Sequence, residues 1–288
     1  MKQSGLTFSL VLIIGLVIVS GVLSIIFSNF VDLRGAMASD ASGGKPAAPI
    51  IVANTPHPAQ PQILYNPPRP EDAPKDIRDA VMLGHNILSN TKQYAADYTG
   101  NGLNCTNCHF NAGIAPGGKN GGLSLVGVAA AYPKYRSRQN YAVDLVTRTN
   151  DCFTRSQNGK PLPADSKEMV AILTYYKWIS TGVPIYEDVP WLGAPPVKSA
   201  QQPDKNAGQQ VYASRCSACH GPDGMGTNIA PAVWGDRSYN DGAGMAKAET
   251  LTSFAFYNMP RGNPILTPEE ATNVAAFVDS QPRPHYQK

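Results

Sequence analysis

The sequence predicts an all-α fold in which two tandem domains share one plan. The pattern Cys-x-x-Cys-His occurs twice, at residues 105–109 and 216–220. Each copy follows a stretch with the apolar spacing of a helix and is followed by a glycine-containing loop and further helical patterns. A length of 288 residues also suits about two domains of ordinary size. We therefore expect one helical unit around each copy of the pattern.

The N-terminal part of the chain is expected to lie outside these units. Residues 6–27 are uncharged and strongly apolar over the roughly 20 positions that a bilayer-crossing helix needs. This predicts a single transmembrane helix, with residues 1–38 as a membrane anchor. A cleaved signal peptide is the alternative, because Ala36-Met37-Ala38 fits the small-x-small pattern of a cleavage site. Residues 39–75 are rich in proline and predict an extended, semi-rigid linker.

Helical patterns and caps set the expected domain boundaries. Two helices begin with capping sequences, one formed by Asp165 with Glu168 and one by Thr267 with Pro268 and Glu270. A second proline-rich stretch, residues 183–205, separates the two halves. We assign the first domain to residues 76–182 and the second domain to residues 206–288. The predicted helices are 76–90, 142–158, 169–179, 207–215 and 271–280.

The Cys-x-x-Cys-His pattern has a known chemistry. Its two thiols bond covalently to haem, and its histidine becomes an axial ligand of the iron. The sequence therefore predicts two covalently bound haem c groups. The repeated order of helix, haem motif, loop and closing helix resembles class I cytochromes c. The attachment residues are Cys105, Cys108 and His109 for the first haem, and Cys216, Cys219 and His220 for the second.

Haem attachment also bears on location. Haem c is attached on the outer side of the inner membrane, so both interpretations of the N-terminus place the two domains on the periplasmic side. The first interpretation anchors them to the inner membrane through the N-terminal helix. The alternative releases a soluble periplasmic protein after cleavage near Ala38.

The second haem needs a sixth ligand, for which we predict Met259. The segment Asn258-Met259-Pro260 resembles the distal methionine segment of class I cytochromes c. Met225 and Met245 are the alternatives, although neither is followed by proline. Histidine and methionine ligation favours the reduced iron and suits an electron-transfer haem.

Cys152 is the one cysteine outside both haem motifs. It follows His109 at an interval close to that between His220 and Met259, and the first domain offers no comparable methionine. An unpaired thiol in an exported chain is unusual. We predict that Cys152 is the sixth ligand of the first haem or a catalytic thiol. The alternatives are a small buried hydrophobic residue in place of a functional thiol and His85 in place of Cys152 as ligand.

The charge pattern points to an anion near Cys152. The net charge of +3 is small, and the chain has no basic run of the kind that tracks phosphates, which argues against nucleic acid. Arg148 and Ser156 lie one helical turn before and after Cys152, so a helix would place all three on one face. Basic residues outnumber acidic ones across this region: Lys134, Arg136, Arg138, Arg148, Arg155 and Lys160 against Asp144 and Asp151.

Longer motifs resemble one family, the periplasmic dihaem thiosulfate dehydrogenases, over residues 76–280. They include Tyr-x-x-Asn-Gly-Leu-x-Cys at 98–105, Leu-Val-Gly-Val-Ala at 125–129 and Tyr-Pro-Lys-Tyr-Arg-Ser-Arg at 132–138. Asn-Asp-Cys-Phe-Thr-Arg-Ser at 150–156, running into Asn-Gly-Lys-Pro-Leu-Pro at 158–163, is the most specific of them.

The resemblance implies both an activity and a site. The activity is the oxidation of two thiosulfates to tetrathionate, or its reverse. Cys152 would be the axial ligand of the catalytic haem, and Arg138, Arg148 and Ser156 would hold the anionic substrate. Each arginine could instead serve a haem propionate. Asn258 stands where some members have a lysine that competes for iron.

The electron partner implied by the resemblance is a respiratory acceptor, either a cytochrome or a membrane oxidase. Two other functions remain open. One is a non-enzymatic, membrane-anchored dihaem cytochrome that serves as the electron-transfer subunit of a respiratory or sulfur-oxidising complex. The other is a relative of the sulfur-oxidising multienzyme cytochromes, which bond substrate sulfur to a carrier protein.

Overall fold

The computed structural model describes residues 64–287, whose helices gather around two hydrophobic cores. We call these groups the first and second domains. Helices α1 to α5 belong to the first domain, α6 to α9 to the second, and the strands β1 and β2 form a small hairpin in the first. The elements are α1 Arg78–Ser89, α2 Thr91–Tyr94, α3 Val128–Ala131, β1 Lys134–Arg136, β2 Tyr141–Val143, α4 Leu145–Asp151, α5 Lys167–Ile179, α6 Lys205–Arg215, α7 Ser217–His220, α8 Ala248–Asn258 and α9 Pro268–Asp279.

The predicted anchor and most of the predicted linker lie outside the described residues. Between residues 64 and 287, no helix is both long and apolar enough to cross a membrane. The described chain also contains a π-helical turn at Cys152–Ser156 and short 3₁₀ turns at Pro70–Asp72, Ala96–Tyr98, Cys105–Asn107, Asn111–Gly113 and Gly244–Ala246.

The core of the first domain is the contact between α1 and α5. Val81 and Ile172 are buried there, and Met169 is fully buried. The helices approach closely at Gly84, where an added Cβ would lie 2.3 Å from the carbonyl oxygen of Ala171. A side chain at residue 84 would therefore push the helices apart.

One of the two predicted helix caps is confirmed, and the other is wrong. At α9, Thr267 Oγ1 accepts from the Glu270 amide at 3.1 Å, and Glu270 Oε2 accepts from the Thr267 amide at 2.9 Å. At α5 the cap is Ser166, whose Oγ accepts from the Met169 amide at 3.2 Å. The prediction placed this cap at Asp165, one residue too early.

The hairpin of β1 and β2 departs from the all-α prediction. Its strands are antiparallel, with Tyr135 opposite Ala142, and Asn140 in the turn has a left-handed φ of 61°. Strand pairing holds residues 141–143 in extended conformation, so the helix predicted to start at residue 142 starts at Leu145. Asp144 caps it by accepting from the Thr147 amide at 2.7 Å.

The core of the second domain joins α6, α8 and α9. Tyr212 stacks against Trp234 with ring centroids 4.7 Å apart. Helix α8 was not predicted from the sequence. Its buried face includes Thr252, Ser253 and Asn258, so the apolar periodicity that would reveal a helix is broken by polar residues.

The two domains share a buried contact surface. Asn258, at the end of α8, is 2% exposed, and its Oδ1 accepts from the Gly122 amide of the first domain at 2.8 Å. The Arg261 guanidinium lies 4.5 Å from the centroid of the Phe110 ring. The apolar part of the surface combines Leu103 and Phe110 with Tyr239, Ala243, Met245 and Phe254.

Candidate functional site

The first haem motif presents its histidine in a fixed orientation. His109 Nδ1 lies 2.7 Å from the carbonyl oxygen of Leu123, which indicates an N–H donor at Nδ1 and leaves Nε2 free to bind a metal. The backbone amide of Cys105 donates to Thr91 Oγ1 at 3.1 Å. Burial raises the pKa of Cys105 to about 11 and that of Cys108 to about 12, so both thiols remain protonated at neutral pH. A fixed histidine beside two neutral thiols fits covalent haem attachment.

Cys152 starts a turn of π-helix that continues α4. This turn runs from Cys152 to Ser156, and the Gln157 amide donates to the carbonyl oxygen of Cys152 at 2.9 Å. Turns of this type are rare in proteins as a whole, and those that occur are frequently found at functional sites. The predicted helix over residues 142–158 is therefore shorter than expected at its start and changes type at Cys152.

Arg148 contacts the Cys152 thiol, on the same helical face as the sequence predicted. Its Nη1 lies 3.0 Å from Cys152 Sγ. Burial raises the pKa of the thiol, but the charge of Arg148, its hydrogen bond and the His109 ring act against burial, and the net pKa is about 6. The thiolate charge in turn raises the pKa of Arg148. Cys152 is therefore a thiolate at neutral pH, the form that binds metals.

His109 and Cys152 line the same cavity, which has a volume of about 370 Å³. Of the described residues that line it, five are lysine or arginine and none is aspartate or glutamate. The two propionates of a haem would leave a surplus of positive charge. The cavity is therefore suited to an anion next to the iron site. The cationic residues are Lys134, Arg136, Arg138, Arg148 and Lys247.

Of the other two predicted substrate residues, Arg138 lines the cavity and Ser156 does not. Arg138 lines the cavity, and its Nη1 donates to the carbonyl oxygen of Gly242 in the second domain at 2.7 Å. Burial and then the charge of Arg155 lower the pKa of Arg138. Ser156 does not line this cavity, although its carbonyl oxygen accepts from Asn101 Nδ2 at 2.9 Å. The expected alignment of Arg148, Cys152 and Ser156 therefore brings only the first two into the cavity.

The second haem motif repeats the proximal design. His220 Nδ1 lies 2.8 Å from the carbonyl oxygen of Pro231, which again leaves Nε2 free to bind a metal. Burial lowers the pKa of His220 and favours the neutral, metal-binding ring. The hydroxyl of Tyr212 donates to the carbonyl oxygen of Gly221 at 2.7 Å. These contacts fit a second haem attached at Cys216 and Cys219.

Met259 follows α8 directly and packs against both the second-domain core and the shared apolar surface. The alternative ligands have their own packing contacts. Met245 is 8% exposed and belongs to that shared surface. Met225 packs on Gly235, where a Cβ added to Gly235 would lie 2.2 Å from the Met225 sulfur. His85 faces Tyr175, with ring centroids 5.8 Å apart.

Sequence reasoning missed two residues of the second domain that serve the first. Lys247 lines the cavity from the residue before α8. Asn240 is 1% exposed and donates from Nδ2 to the carbonyl oxygen of Thr154 at 2.9 Å. No motif marks either residue. What distinguishes Asn240 is its burial within a loop, which only the structure shows.

Comparison with known families assigns a type to each domain. The family described as SoxA/TsdA, cytochrome c domain, matches residues 91–185. The family described as Cytochrome C oxidase, cbb3-type, subunit III, matches residues 203–278. The chain therefore consists of two cytochrome c domains in tandem, and the cofactor of such domains is covalently bound haem c.

Similar proteins cover most of the chain. A thiosulfate dehydrogenase from Thiomonas intermedia is 38% identical over 86% of this chain and 79% of its own length. A thiosulfate dehydrogenase from Allochromatium vinosum is 37% identical over 74% of this chain and 81% of its own. The solved structure of a thiosulfate dehydrogenase (TsdBA) from Marichromatium purpuratum matches with a TM-score of 0.70 at 29% identity, over 74% of this chain and 48% of that one.

Proposed function

Because this chain belongs to the thiosulfate dehydrogenase family of cytochromes c, we propose that it joins two thiosulfates into tetrathionate at the cavity that Cys152 and His109 line. The chain is an oxidoreductase that oxidises thiosulfate. The observation that carries the finer proposal is the cavity itself, in which Cys152 Sγ lies 3.0 Å from Arg148 Nη1 and the described lining residues include five cationic side chains and no carboxylate.

The reaction requires two anions to meet, and the positive charge of this cavity would reduce their repulsion. Two thiosulfate dianions form one sulfur–sulfur bond, give one tetrathionate dianion and release two electrons, with no proton transferred. Bringing two dianions into contact is opposed by their repulsion, which is strong in a partly buried site. Guanidinium groups bind such oxyanions through paired hydrogen bonds. Arg138 and Arg148 therefore suit the first substrate, and Lys247 with Arg136 suits the second.

The cofactors implied by the fold would be held by this chain's own side chains. His109 and Cys152 would bind the first iron, and His220 and Met259 the second. When bound, the two haems supply two one-electron acceptors, which matches the two electrons released. Met259 as a ligand of the second iron would favour its reduced state and would therefore draw electrons toward the second domain.

The roles of individual residues follow from their contacts. Arg148 keeps Cys152 in its thiolate form, and Leu123 orients His109. Arg138 is held at the domain contact by Gly242. Ser156 remains a prediction as a substrate residue, since it does not line the cavity with the other three.

The cellular setting extends the proposal. The domains would act on the periplasmic side of the inner membrane, anchored through residues 6–27 or released after cleavage near Ala38. Electrons would leave the second domain for a respiratory cytochrome or a membrane oxidase. The match of residues 203–278 to a subunit of a cytochrome oxidase supports an electron-transfer role for that domain.

The test is to add thiosulfate to the oxidised holoprotein and follow the haem absorption bands while tetrathionate is measured. We expect haem reduction and one tetrathionate for every two electrons delivered to an artificial acceptor. Neither reduction nor tetrathionate would favour the non-enzymatic dihaem cytochrome. Reduction with sulfur transfer to a carrier protein and no free tetrathionate would favour the sulfur-carrier relative.

A further inference from the structure

The π-helical turn that carries Cys152 ends in carbonyl groups that no later helical residue can satisfy. The final carbonyls of any helix need partners from outside it, and buried carbonyls without partners are costly. The carbonyl oxygen of Cys152 accepts from the Gln157 amide, and that of Phe153 accepts from the Gly159 amide, both at 2.9 Å. Three carbonyls, those of Thr154, Arg155 and Ser156, remain.

The second domain supplies the partners for two of these three. Asn240 donates from Nδ2 to the carbonyl oxygen of Thr154 at 2.9 Å and from its backbone amide to that of Arg155 at 3.1 Å. The third, on Ser156, accepts from Asn101 Nδ2, which also donates to the carbonyl oxygen of Ser238 at 2.9 Å.

Asn240 is itself held by a full set of hydrogen bonds. Its second Nδ2 hydrogen goes to Asn158 Oδ1 at 3.1 Å, and its Oδ1 accepts from the Gly242 amide at 3.1 Å. With 1% of its surface exposed, water cannot replace these partners. The carbonyl oxygen of Gly242 then accepts from Arg138 at 2.7 Å and from Arg155 at 3.4 Å.

We infer that Asn240 is a positioning residue for the first haem site, acting across the domain boundary on the backbone turn that aims Cys152. The inference rests on the proposed function, because it takes Cys152 as the axial ligand. The electron-accepting domain thereby helps to set the coordination of the catalytic one. Groups that orient a metal ligand typically matter about ten- to a hundredfold for affinity or activity when they are removed.

The test uses the purified holoprotein with both haems attached. Asn240→Ala removes the donor to Thr154, and Asn240→Asp keeps the shape and the bond from Gly242 but replaces the donor with a carboxylate. The matched control is Asn120→Gly, which removes a different bond between the domains, from the Gly262 amide to Asn120 Oδ1 at 2.9 Å. Asn120 has a φ of 60°, a conformation that glycine adopts readily.

We expect both Asn240 variants to alter the paramagnetic resonance signal of the thiolate-ligated haem and to lower kcat by about tenfold or more. The second haem signal should stay unchanged, and Asn120→Gly should keep both signals and its kcat within about twofold. If Asn240→Asp keeps the first signal and its kcat within about twofold, the inference is wrong. It is equally wrong if both haem signals change together, because that would indicate a general role in domain contact. A wild-type protein with no thiolate-ligated haem would instead refute the proposed ligand and, with it, the inference.

Discussion

The two haem motifs share their proximal side and differ on the distal side. His109 and His220 each direct Nδ1 to a backbone carbonyl, at 2.7 and 2.8 Å. For the sixth ligands we propose a thiolate on a π-helical turn next to Arg148 in the first domain and a thioether at the end of an α-helix in the second. The two domains therefore share the histidine side, and the proposed ligands on the other side would separate a domain that reacts with substrate from one that passes electrons on.

The largest expected effect comes from making the two distal sides alike. In Cys152→Met, a thioether replaces the thiolate, and we expect tetrathionate formation to fall on the order of a thousandfold or more, as for the loss of an activated nucleophile. The potential of the first haem should rise, because methionine favours the reduced iron. Redox titration and product analysis would measure both. Met225→Leu is the control, and turnover above about a tenth of wild type in Cys152→Met would contradict the prediction.

The next largest effect tests Arg148, which lies beside the proposed sixth ligand of the first domain. In Arg148→Gln, burial is no longer opposed by the guanidinium, so the pKa of Cys152 moves upward from about 6. The thiolate is the form that would bind iron, so the pH below which the haem spectrum loses its thiolate ligation should move upward, and this pH profile is the measurement. We also expect kcat to fall by about 10²-fold. Arg215→Gln, which changes an exposed arginine at the end of α6, should leave the profile in place.

A smaller effect tests what the second domain contributes to the first cavity. Lys247 is exposed, so Lys247→Gln should raise the KM for thiosulfate by about twofold to fivefold, as expected for one surface charge, with kcat unchanged. The increase should shrink in high salt. Lys205→Gln removes an exposed lysine that does not line the cavity and should have no effect on KM. An equal rise in both variants would indicate a general effect of net charge.

The smallest effect concerns a C-terminal contact of the second domain. Asp241 Oδ1 accepts from the Tyr286 amide at 2.8 Å, and its Oδ2 lies 2.5 Å from His285 Nδ1. The Tyr286 amide and then His285 lower the pKa of Asp241. A carboxyl with a depressed pKa stabilises the fold above its unfolded pKa, near 3.9, and loses that contribution as the pH falls through the folded pKa. The protection of the Tyr286 amide, measured as its exchange rate relative to an unstructured peptide at the same pH, should therefore fall below about pH 4, and Asp241→Asn should weaken this pH dependence.

Features with a strong local cause were predictable from the sequence. The haem motifs depend on covalent chemistry at fixed spacing, and the cap at Thr267 depends on residues three positions apart. The pair of Arg148 and Cys152 follows from helical periodicity, and the structure places their side chains 3.0 Å apart. Each of these requires only the neighbouring chain.

Features that depend on distant partners were not predictable. Ala142 was predicted as the first residue of a helix, but pairing with Tyr135 makes it a strand residue. Ser156 falls on the expected helical face, but the helix changes its geometry at Cys152. Lys247 and Asn240 act on a cavity and a turn that lie in the other domain. Their roles arise from the packing of the domains, which no local pattern records.

The bond between Asn258 and Gly122 has a consequence for the speed of electron flow. The Leu123 amide donates to the carbonyl oxygen of Cys108 at 2.9 Å, and the carbonyl of Leu123 holds His109, while Asn258 immediately precedes Met259. A short path of backbone and hydrogen bonds therefore joins His109 to Met259, the residues that we propose as ligands of the two irons. Electron transfer between haems held by these residues would need no movement of one domain relative to the other, so its rate should be insensitive to solvent viscosity.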